Sequence, residues 1–235
     1  MSMTYYKITN KTETHHGLKY KTGLNVDPLP FNPRGDCTPG GIYYTDAENI
    51  LYFLDYGPWI REVILPKDAQ VYQNHGLPKK WKADKVKLGP RHKWCSLEII
   101  KKLIKEGADI HIDDDYVLRL AAESGHLDVV KYLIKNGADI HARDDYALGW
   151  AVSNDYLDVV KYLIKNGADI HARDDCALRY AASNGHLSVV KYLVEKGADI
   201  HAVDDWAFQW AAIRGHMDIV EFLSTVSENA RLGWR

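Results

Sequence analysis

The stretch "HLDVVKYLIKNGADIHARDDYALGWA", residues 126–151, decides the fold because the chain repeats it. Residues 156–181 read "YLDVVKYLIKNGADIHARDDCALRYA", and residues 186–211 read "HLSVVKYLVEKGADIHAVDDWAFQWA". The pentapeptide Gly-Ala-Asp-Ile-His begins at positions 107, 137, 167 and 197, so the period is 30 residues. A fixed period of this length is typical of a solenoid, in which each unit packs on its neighbours.

The first part of this stretch has the pattern of an amphipathic helix. Within residues 127–136, Leu127, Val130 and Ile134 are spaced so that they would share one helix face. Gly137 follows, and glycine can adopt the left-handed conformation that ends many helices. The pattern therefore predicts a helix that ends at Gly137.

A second, shorter helix is predicted over residues 146–154. Asp144 and Asp145 precede it, and a carboxylate at a helix start can accept hydrogen bonds from free backbone N–H groups. Neither helix could bury its apolar side alone, so the units must stack on one another.

These residues resemble ankyrin repeats. The run Gly-His-Leu-Asp-Val-Val-Lys-Tyr-Leu followed by Gly-Ala-Asp-Ile is similar to the second helix and exit turn of that family. The usual ankyrin period is about 33 residues, and the alignment places the missing residues between Asp145 and Tyr146. The family's Thr-Pro-Leu-His opening is also replaced, at 146–149 and 176–179. The resemblance implies an all-α solenoid that binds proteins, and the gap predicts shortened β-turn fingers.

Residues 1–93 carry no repeat and contain all 8 prolines. We expect a small α+β domain of modest sheet content, with strands at 5–9, 41–45, 59–66 and 70–72 and a helix at 46–57 capped by Asp46. The remaining chain, 94–235, is predicted to hold a partial capping repeat and about four full repeats. Their bounds are 94–113, 114–143, 144–173, 174–203 and 204–235.

The first region resembles the domain that precedes ankyrin arrays in proteins of mimivirus-like giant DNA viruses. The resemblance rests on "HHGLKYKTGLNVDPLPFNPRGDCTPGGIYYT", "YGPWIREVILP" and "KADKVKLG", at residues 15–45, 56–66 and 82–89. It implies no known biochemical activity for this domain.

Composition favours an intracellular protein. The chain has 46% hydrophobic and 26% charged residues and a net charge of −2, values typical of a globular protein. Its apolar runs are shorter than a membrane span requires, and the amino terminus lacks an apolar signal core. Three widely spaced cysteines favour neither a disulfide framework nor a zinc site. We expect a monomer in a reducing compartment, the host cytoplasm or nucleus if the protein is viral.

The first region contains two sequence features that could indicate a functional site. The Arg34-Gly35-Asp36 tripeptide and Cys37 lie in a loop rich in proline and glycine, which favours a turn over an adhesion motif or a nucleophile. Parts of the region also loosely parallel ADP-ribosyltransferases, and that resemblance would give His16, Tyr43 and Glu62 roles in gripping NAD. Only 5 residues separate His16-Gly17 from Gly23-Leu24, too few for the helix usual in those enzymes.

The repeated histidines and one basic segment raise the possibility of metal binding and of nucleic-acid binding. Seven of the 11 histidines recur at repeat positions, one unit apart, so they would not converge as metal ligands must; turn hydrogen bonding is favoured, and no metal or cofactor is expected. The segment Lys79 to Lys93 has seven Lys and Arg in fifteen residues. It could touch nucleic acid, but a solvated charge run is the simpler interpretation.

The favoured function is protein binding through the concave face of first helices and turns, with a partner that the sequence does not name. The alternatives to protein binding are ADP-ribosyltransferase-like activity in the first region and a structural or virion role. Positions that vary between units while their neighbours repeat are the predicted contacts. They are Arg119, Gly149, Arg179 and Gln209 on the first helices; Glu123, Ser124, Ser153, Asn154, Ser183, Asn184, Ile213 and Arg214 at their ends; and Arg143, Arg173 and Val203 in the turns.

Overall fold

A computed structural model describes residues 4–34 and 38–231. Gly35, Asp36 and Cys37 lie outside these residues, so the adhesion-motif and nucleophile hypotheses are not addressed by it. The chain divides into two compact units, Met1–Asp113 and Asp114–Arg235. Helix α1, Leu97–Lys105, therefore belongs to the same unit as the amino-terminal strands, and the predicted capping repeat 94–113 stays a prediction.

The first unit is built on a seven-stranded antiparallel sheet with the order β4-β9-β6-β1-β5-β8-β7, beside a small hairpin of β2 and β3. The strands are β1 Tyr5–Thr9, β2 Thr14–His15, β3 Leu18–Lys19, β4 Gly23–Val26, β5 Ile42–Asp46, β6 Trp59–Ile64, β7 Val71–Asn74, β8 Lys80–Ala83 and β9 Lys85–Lys93.

Four of these strands, β1, β5, β6 and β7, lie where the sequence predicted them, but the expectation of modest sheet content is wrong. The longest strand, β9, falls in the segment interpreted as a charge run. Val86 and Leu88 alternate there with Lys85 and Lys87, and both apolar side chains are buried. This alternation is a strand signal, and it was hidden by the number of lysines.

The predicted helix at 46–57 is also shorter than expected. Asp46 ends β5, and its carboxylate accepts hydrogen bonds from the backbone and side-chain N–H groups of Asn49, at 3.0 and 2.8 Å. The chain then forms a 3-10 helix over Ile50–Tyr56. Asp46 thus stabilises the turn before the helix and does not cap the helix itself.

A buried ion pair ties the first hairpin to the sheet. Arg61 on β6 is 3% exposed and donates from Nε to Glu13 Oε1 at 2.8 Å. The same guanidinium donates to the carbonyl of Gly89 at 2.7 Å and to the hydroxyl of Thr22 at 3.1 Å. A buried charge needs such a full set of partners to offset its loss of hydration.

The second unit stacks pairs of antiparallel helices, each pair formed by one first helix and one second helix. The first helices are α2 Ile112–Glu123, α4 Ala142–Ser153, α6 Ala172–Asn184 and α8 Ala202–Ile213. The second helices are α3 Leu127–Lys135, α5 Leu157–Lys165, α7 Leu187–Glu195 and α9 Met217–Arg231.

The predicted second helix and its end are confirmed, but its buried face is displaced. Gly137 has φ +97°, in the left-handed region. The fully buried side chains of α3 are Val129, Val130 and Leu133, whereas Leu127 and Ile134 are only partly buried. The helix contacts α5, the next second helix in the stack, so the face it buries is broader than one stripe.

The connection into each first helix is a tight left-handed turn in place of an ankyrin finger. Arg143, Asp144 and Asp145 have φ of +54°, +57° and +57°, and the corresponding residues of the other units share this conformation. The expectation of shortened fingers is therefore confirmed. Three consecutive left-handed residues are costly for any side chain, and aspartate tolerates the region better than most.

Candidate functional site

In the first three full units, the aspartate that closes the left-handed turn joins neighbouring units. Asp145 is buried, and its carboxylate accepts the backbone N–H of Asp169, in the next exit turn, at 2.9 Å. The other carboxylate oxygen lies 3.2 Å from Nδ1 of His141. Asp115 and Asp175 accept the N–H groups of the corresponding exit turns in the same way. The expectation that this aspartate caps its own helix is thus corrected, because its carboxylate bonds across the stack.

Three of the repeated histidines contact the turns through their side chains: Nδ1 of His141, His171 and His201 lies within hydrogen-bond distance of Asp145, Asp175 and Asp205. Their backbone N–H groups also donate to the aspartate two residues earlier, a bond that any residue type but proline could make. Within residues 4–34 and 38–231, no three His, Cys, Asp or Glu side chains are grouped so that they could hold a metal ion.

Three of the predicted contact positions on the first helices support the turns. Arg119 and Arg179 donate from Nε to the carbonyls of Asp114 and Asp174, at 3.1 and 3.0 Å. Gln209 donates in the same way to Asp204, at 2.6 Å. In the second full unit this position is Gly149, which has no side chain to reach its turn. The residue at this position therefore decides whether the turn receives a side-chain hydrogen bond as well as what the helix surface offers to a partner.

The absence of a side chain at Gly149 opens a groove between α4 and α6, which we call the Gly149 groove. It encloses about 350 Å³. Four of the predicted contact residues line it together: Gly149, Ser153, Asn154 and Arg173. Its other lining residues are Asp144, Asp145, Tyr146, Leu148, Trp150, Asp169, Ala172, Cys176, Ala177 and Tyr180.

Aromatic rings form much of the groove. The rings of Tyr146 and Trp150 lie 5.9 Å apart, and the guanidinium of Arg173 lies 5.4 Å from the Tyr146 ring. Tyr180, across the groove on α6, is 40% exposed. The groove thus combines apolar walls with a cation and with carboxylates, the composition typical of a protein-binding site.

The other predicted contact residues differ in exposure. Arg119 and Ser183 are buried, at 7% and 5% exposed, so neither offers its side chain to a partner in this structure. Glu123 and Ser124 are half-buried. The exposed members are Arg143, Asn184, Val203, Gln209, Ile213 and Arg214, and Arg179 is intermediate.

The one irregular turn between two helices of a pair has a packing role. Asp155 replaces the usual glycine and takes its left-handed conformation, with φ +61°. The following Tyr156 packs on Gly125 of the preceding unit so closely that a Cβ there would lie 2.6 Å from its ring. Gly125 and Tyr156 thus match each other across the interface between units.

Only one of the three residues that the transferase hypothesis requires lines the cavity of the first unit that the structure describes. Tyr43 lines this cavity, and neither His16 nor Glu62 is among its lining residues. Glu62 instead forms an ion pair with Lys102 of α1. The ring of His16 lies 4.0 Å from that of His15, which does line the cavity.

The basic segment Lys79 to Lys93 does not form one solvated run. Lys82 is 2% exposed, and its Nζ donates to Asn32 O, Thr38 Oγ1 and Pro39 O at 2.7, 3.2 and 3.3 Å. Lys85 pairs with Asp68 at 2.6 Å, and Arg91 lies 3.5 Å from Glu13. The solvated-run interpretation is wrong for Lys82, which holds a loop against the sheet.

Comparison with known proteins agrees with the helical architecture. A family model described as ankyrin repeats (3 copies) matches residues 92–174, 146–204 and 173–232. The chain belongs to the ankyrin repeat family. This family membership marks the array as a protein-protein interaction module. None of the helices in the described residues is long and apolar enough to cross a membrane.

Relatives of this ankyrin repeat protein come from Acanthamoeba polyphaga mimivirus. A putative ankyrin repeat protein is 40% identical over 124 residues, which are 50% of this chain and 40% of that relative. An uncharacterized protein is 35% identical over 126 residues, 52% of this chain and 91% of the relative. A third, also a putative ankyrin repeat protein, is 32% identical over 130 residues, 54% of this chain and 64% of the relative.

Proposed function

We propose that the ankyrin array binds a partner protein through its first helices and turns, with the Gly149 groove as the centre of contact. The observation that carries this proposal is the groove itself: about 350 Å³ opened where two other units place arginine and one places glutamine. A groove of this kind receives an anchoring side chain, and a few such anchors supply most of the energy of an interface.

The residues that line the Gly149 groove indicate which partner side chain it would receive. Tyr146, Trp150 and Tyr180 offer ring faces, so an aromatic or large aliphatic side chain of the partner fits between them. Asp144 at the same groove is an acceptor for a donor group of the partner, and Arg173 is a donor for a carboxylate. The partner segment is therefore apolar at its centre and polar at its edges.

The substitution Gly149→Arg tests the proposal. Arginine is the native residue at the corresponding positions 119 and 179, where its Nε donates to the turn. Among the described residues, no heavy atom beyond the local backbone lies within 4 Å of where a Cβ at Gly149 would stand. The variant should keep the fold and fill the groove. The control is Ser188→Arg, which adds the same side chain at an exposed position of the second helix α7, outside the predicted contact positions.

The measurement is recovery of proteins from an amoebal lysate by the native chain and by the two variants, quantified by mass spectrometry. We expect at least one protein whose recovery falls about tenfold with Gly149→Arg, roughly 1.4 kcal/mol, and is unchanged with Ser188→Arg. If every captured protein is recovered equally by all three chains, the groove is not the contact and the proposal is wrong.

A further inference from the structure

The first unit contains a cavity at a point where two neighbouring strands separate. Strand β1 pairs with β6 along its whole length, but with β5 only at Tyr5↔Asp46 and Tyr6↔Thr45. Beyond these pairs the Nζ of Lys7 donates to the carbonyl of Tyr43 at 2.9 Å. The cavity that Lys7 lines here encloses about 100 Å³.

Lys7 is a buried cation without a carboxylate. It is 7% exposed, and its Nζ lies 4.6 Å from the centre of the Tyr20 ring. Across residues 4–34 and 38–231, no carboxylate oxygen pairs with this Nζ within 4.0 Å. Burial lowers the pKa of Lys7 to about 7, because desolvation disfavours the charged amine. A carboxylate in the cavity would supply the missing counter-charge.

A second polar group in the cavity is also unsatisfied. The hydroxyl of Tyr44 is buried and has no hydrogen-bond partner within the part of the chain that the structure describes. Such a group costs free energy unless something bonds to it. Tyr44 and Lys7 both line the cavity, and a carboxylate has two acceptor oxygens to offer such donors.

The remaining walls select for a flat apolar body. Tyr6, Tyr43 and Phe53 contribute aromatic rings, and none of the fifteen lining residues is acidic. Tyr56 at the cavity is 55% exposed, so the cavity reaches the surface. The cavity of about 100 Å³ is smaller than the volume of about 150 Å³ that accommodates benzene, so an aromatic ring fits only if part of it extends toward the surface.

We propose that this cavity binds a small aromatic carboxylate, with the carboxylate against Lys7 and the Tyr44 hydroxyl and the ring among the aromatic walls. The site is independent of the protein-binding surface of the array. Of the three residues on which the transferase hypothesis depends, the cavity involves only Tyr43.

Ligand-observed NMR with the full chain and benzoate tests this proposal, in a slightly acidic buffer where Lys7 is protonated. We expect saturable binding of benzoate and about tenfold weaker binding of benzamide, which has the same shape without the charge. Lys7→Met should abolish the benzoate signal, whereas the control Lys161→Met in the array should leave it unchanged.

Several results would overturn the proposal: no saturable binding of benzoate, equal binding of benzamide, unchanged affinity in Lys7→Met, or equal loss in Lys161→Met. Circular dichroism shows whether Lys7→Met folds. If it does not, Tyr44→Phe decides. Removal of the unsatisfied hydroxyl leaves the unliganded fold intact, so benzoate affinity should fall about threefold, and an unchanged affinity in Tyr44→Phe would contradict the site.

Discussion

The two units of this protein bury charged groups in different ways. In the array, Asp145 receives an N–H from the next unit and a contact from its own histidine, and Asp115 and Asp175 repeat the bond to the next unit. In the sheet, Lys7 has one carbonyl and an aromatic ring, and no carboxylate among the described residues. Repetition thus allows one partnered solution to be reused, whereas in the sheet each buried cation is partnered differently: Arg61 and Lys82 have several acceptors and Lys7 has one.

The reuse depends on a following unit. Asp205 occupies the same place in the last turn, but its side chain is 54% exposed. The residue 24 positions further on is Asn229, which lies within α9 and not in an exit turn. The same Asp-Asp sequence therefore places a buried, hydrogen-bonded carboxylate at Asp145 inside the stack and an exposed carboxylate at Asp205 in the last unit.

The largest expected effect concerns Lys7 and pH. Its pKa is about 7 in the folded chain and about 10.4 in an unfolded one. Between these values the unfolded state binds more protons, so stability rises with pH. The burial cost is fully present below pH 7 and is progressively lost above it. The stability of the native chain relative to Lys7→Met should therefore improve by roughly 2 to 3 kcal/mol between about pH 6 and about pH 9.

Urea unfolding of both chains at the two pH values measures this difference. Burial lowers the pKa of His15 to about 4 and raises the pKa of Tyr20 and Tyr44 above the ordinary tyrosine value, so these three neighbours of Lys7 do not titrate in the folded chain within this window. Arg61, opposite Lys7 on β6, is paired with Glu13. Parallel pH profiles of the two chains would show that Lys7 has an ordinary environment.

The next effect compares an inner unit with the last one. Asp145→Ala removes the buried carboxylate that accepts the N–H of Asp169 at a part-buried contact, and should lower the free energy of unfolding by about 2 kcal/mol more than Asp205→Ala. Both substitutions place alanine in the same left-handed conformation, so that cost cancels in the comparison. Urea unfolding followed by the helical circular dichroism signal measures both variants. Equal losses would mean that the bond between units contributes nothing.

The array was predictable because its signals are local and recur. The 30-residue period located every second helix, and Gly137 marked a helix end that the structure confirms. The left-handed turns were not predictable, because no common residue except glycine favours this conformation and the turns here contain none. Their stability comes from bonds such as Asp145 to the next unit, which a single repeat does not reveal.

The sheet unit was harder to predict because its decisive contacts are distant in sequence. Lys7 and Lys82 look alike as letters, yet both are buried at contacts with residues more than thirty positions away. The strand β9 was missed although Val86 and Leu88 alternate with lysines, because charge dominated the interpretation. The Gly149 groove could be anticipated in part, since a glycine in the middle of a helix where other units have long side chains is a signal.

The smallest expected effect is a difference in backbone strain between two left-handed turns, at Val203 and at Arg143. Val203 has φ +54° and ψ +55°, a conformation that a β-branched side chain resists more than any other. The side chain is 48% exposed, so its replacement loses little packing. Val203→Asn should raise the free energy of unfolding by about 1 kcal/mol. The control Arg143→Asn has the same φ but loses an ion pair with Asp114 at 3.0 Å, so it should gain less. Thermal unfolding of both variants measures the difference; a native valine at least as stable as asparagine would mean that this turn is not strained in solution.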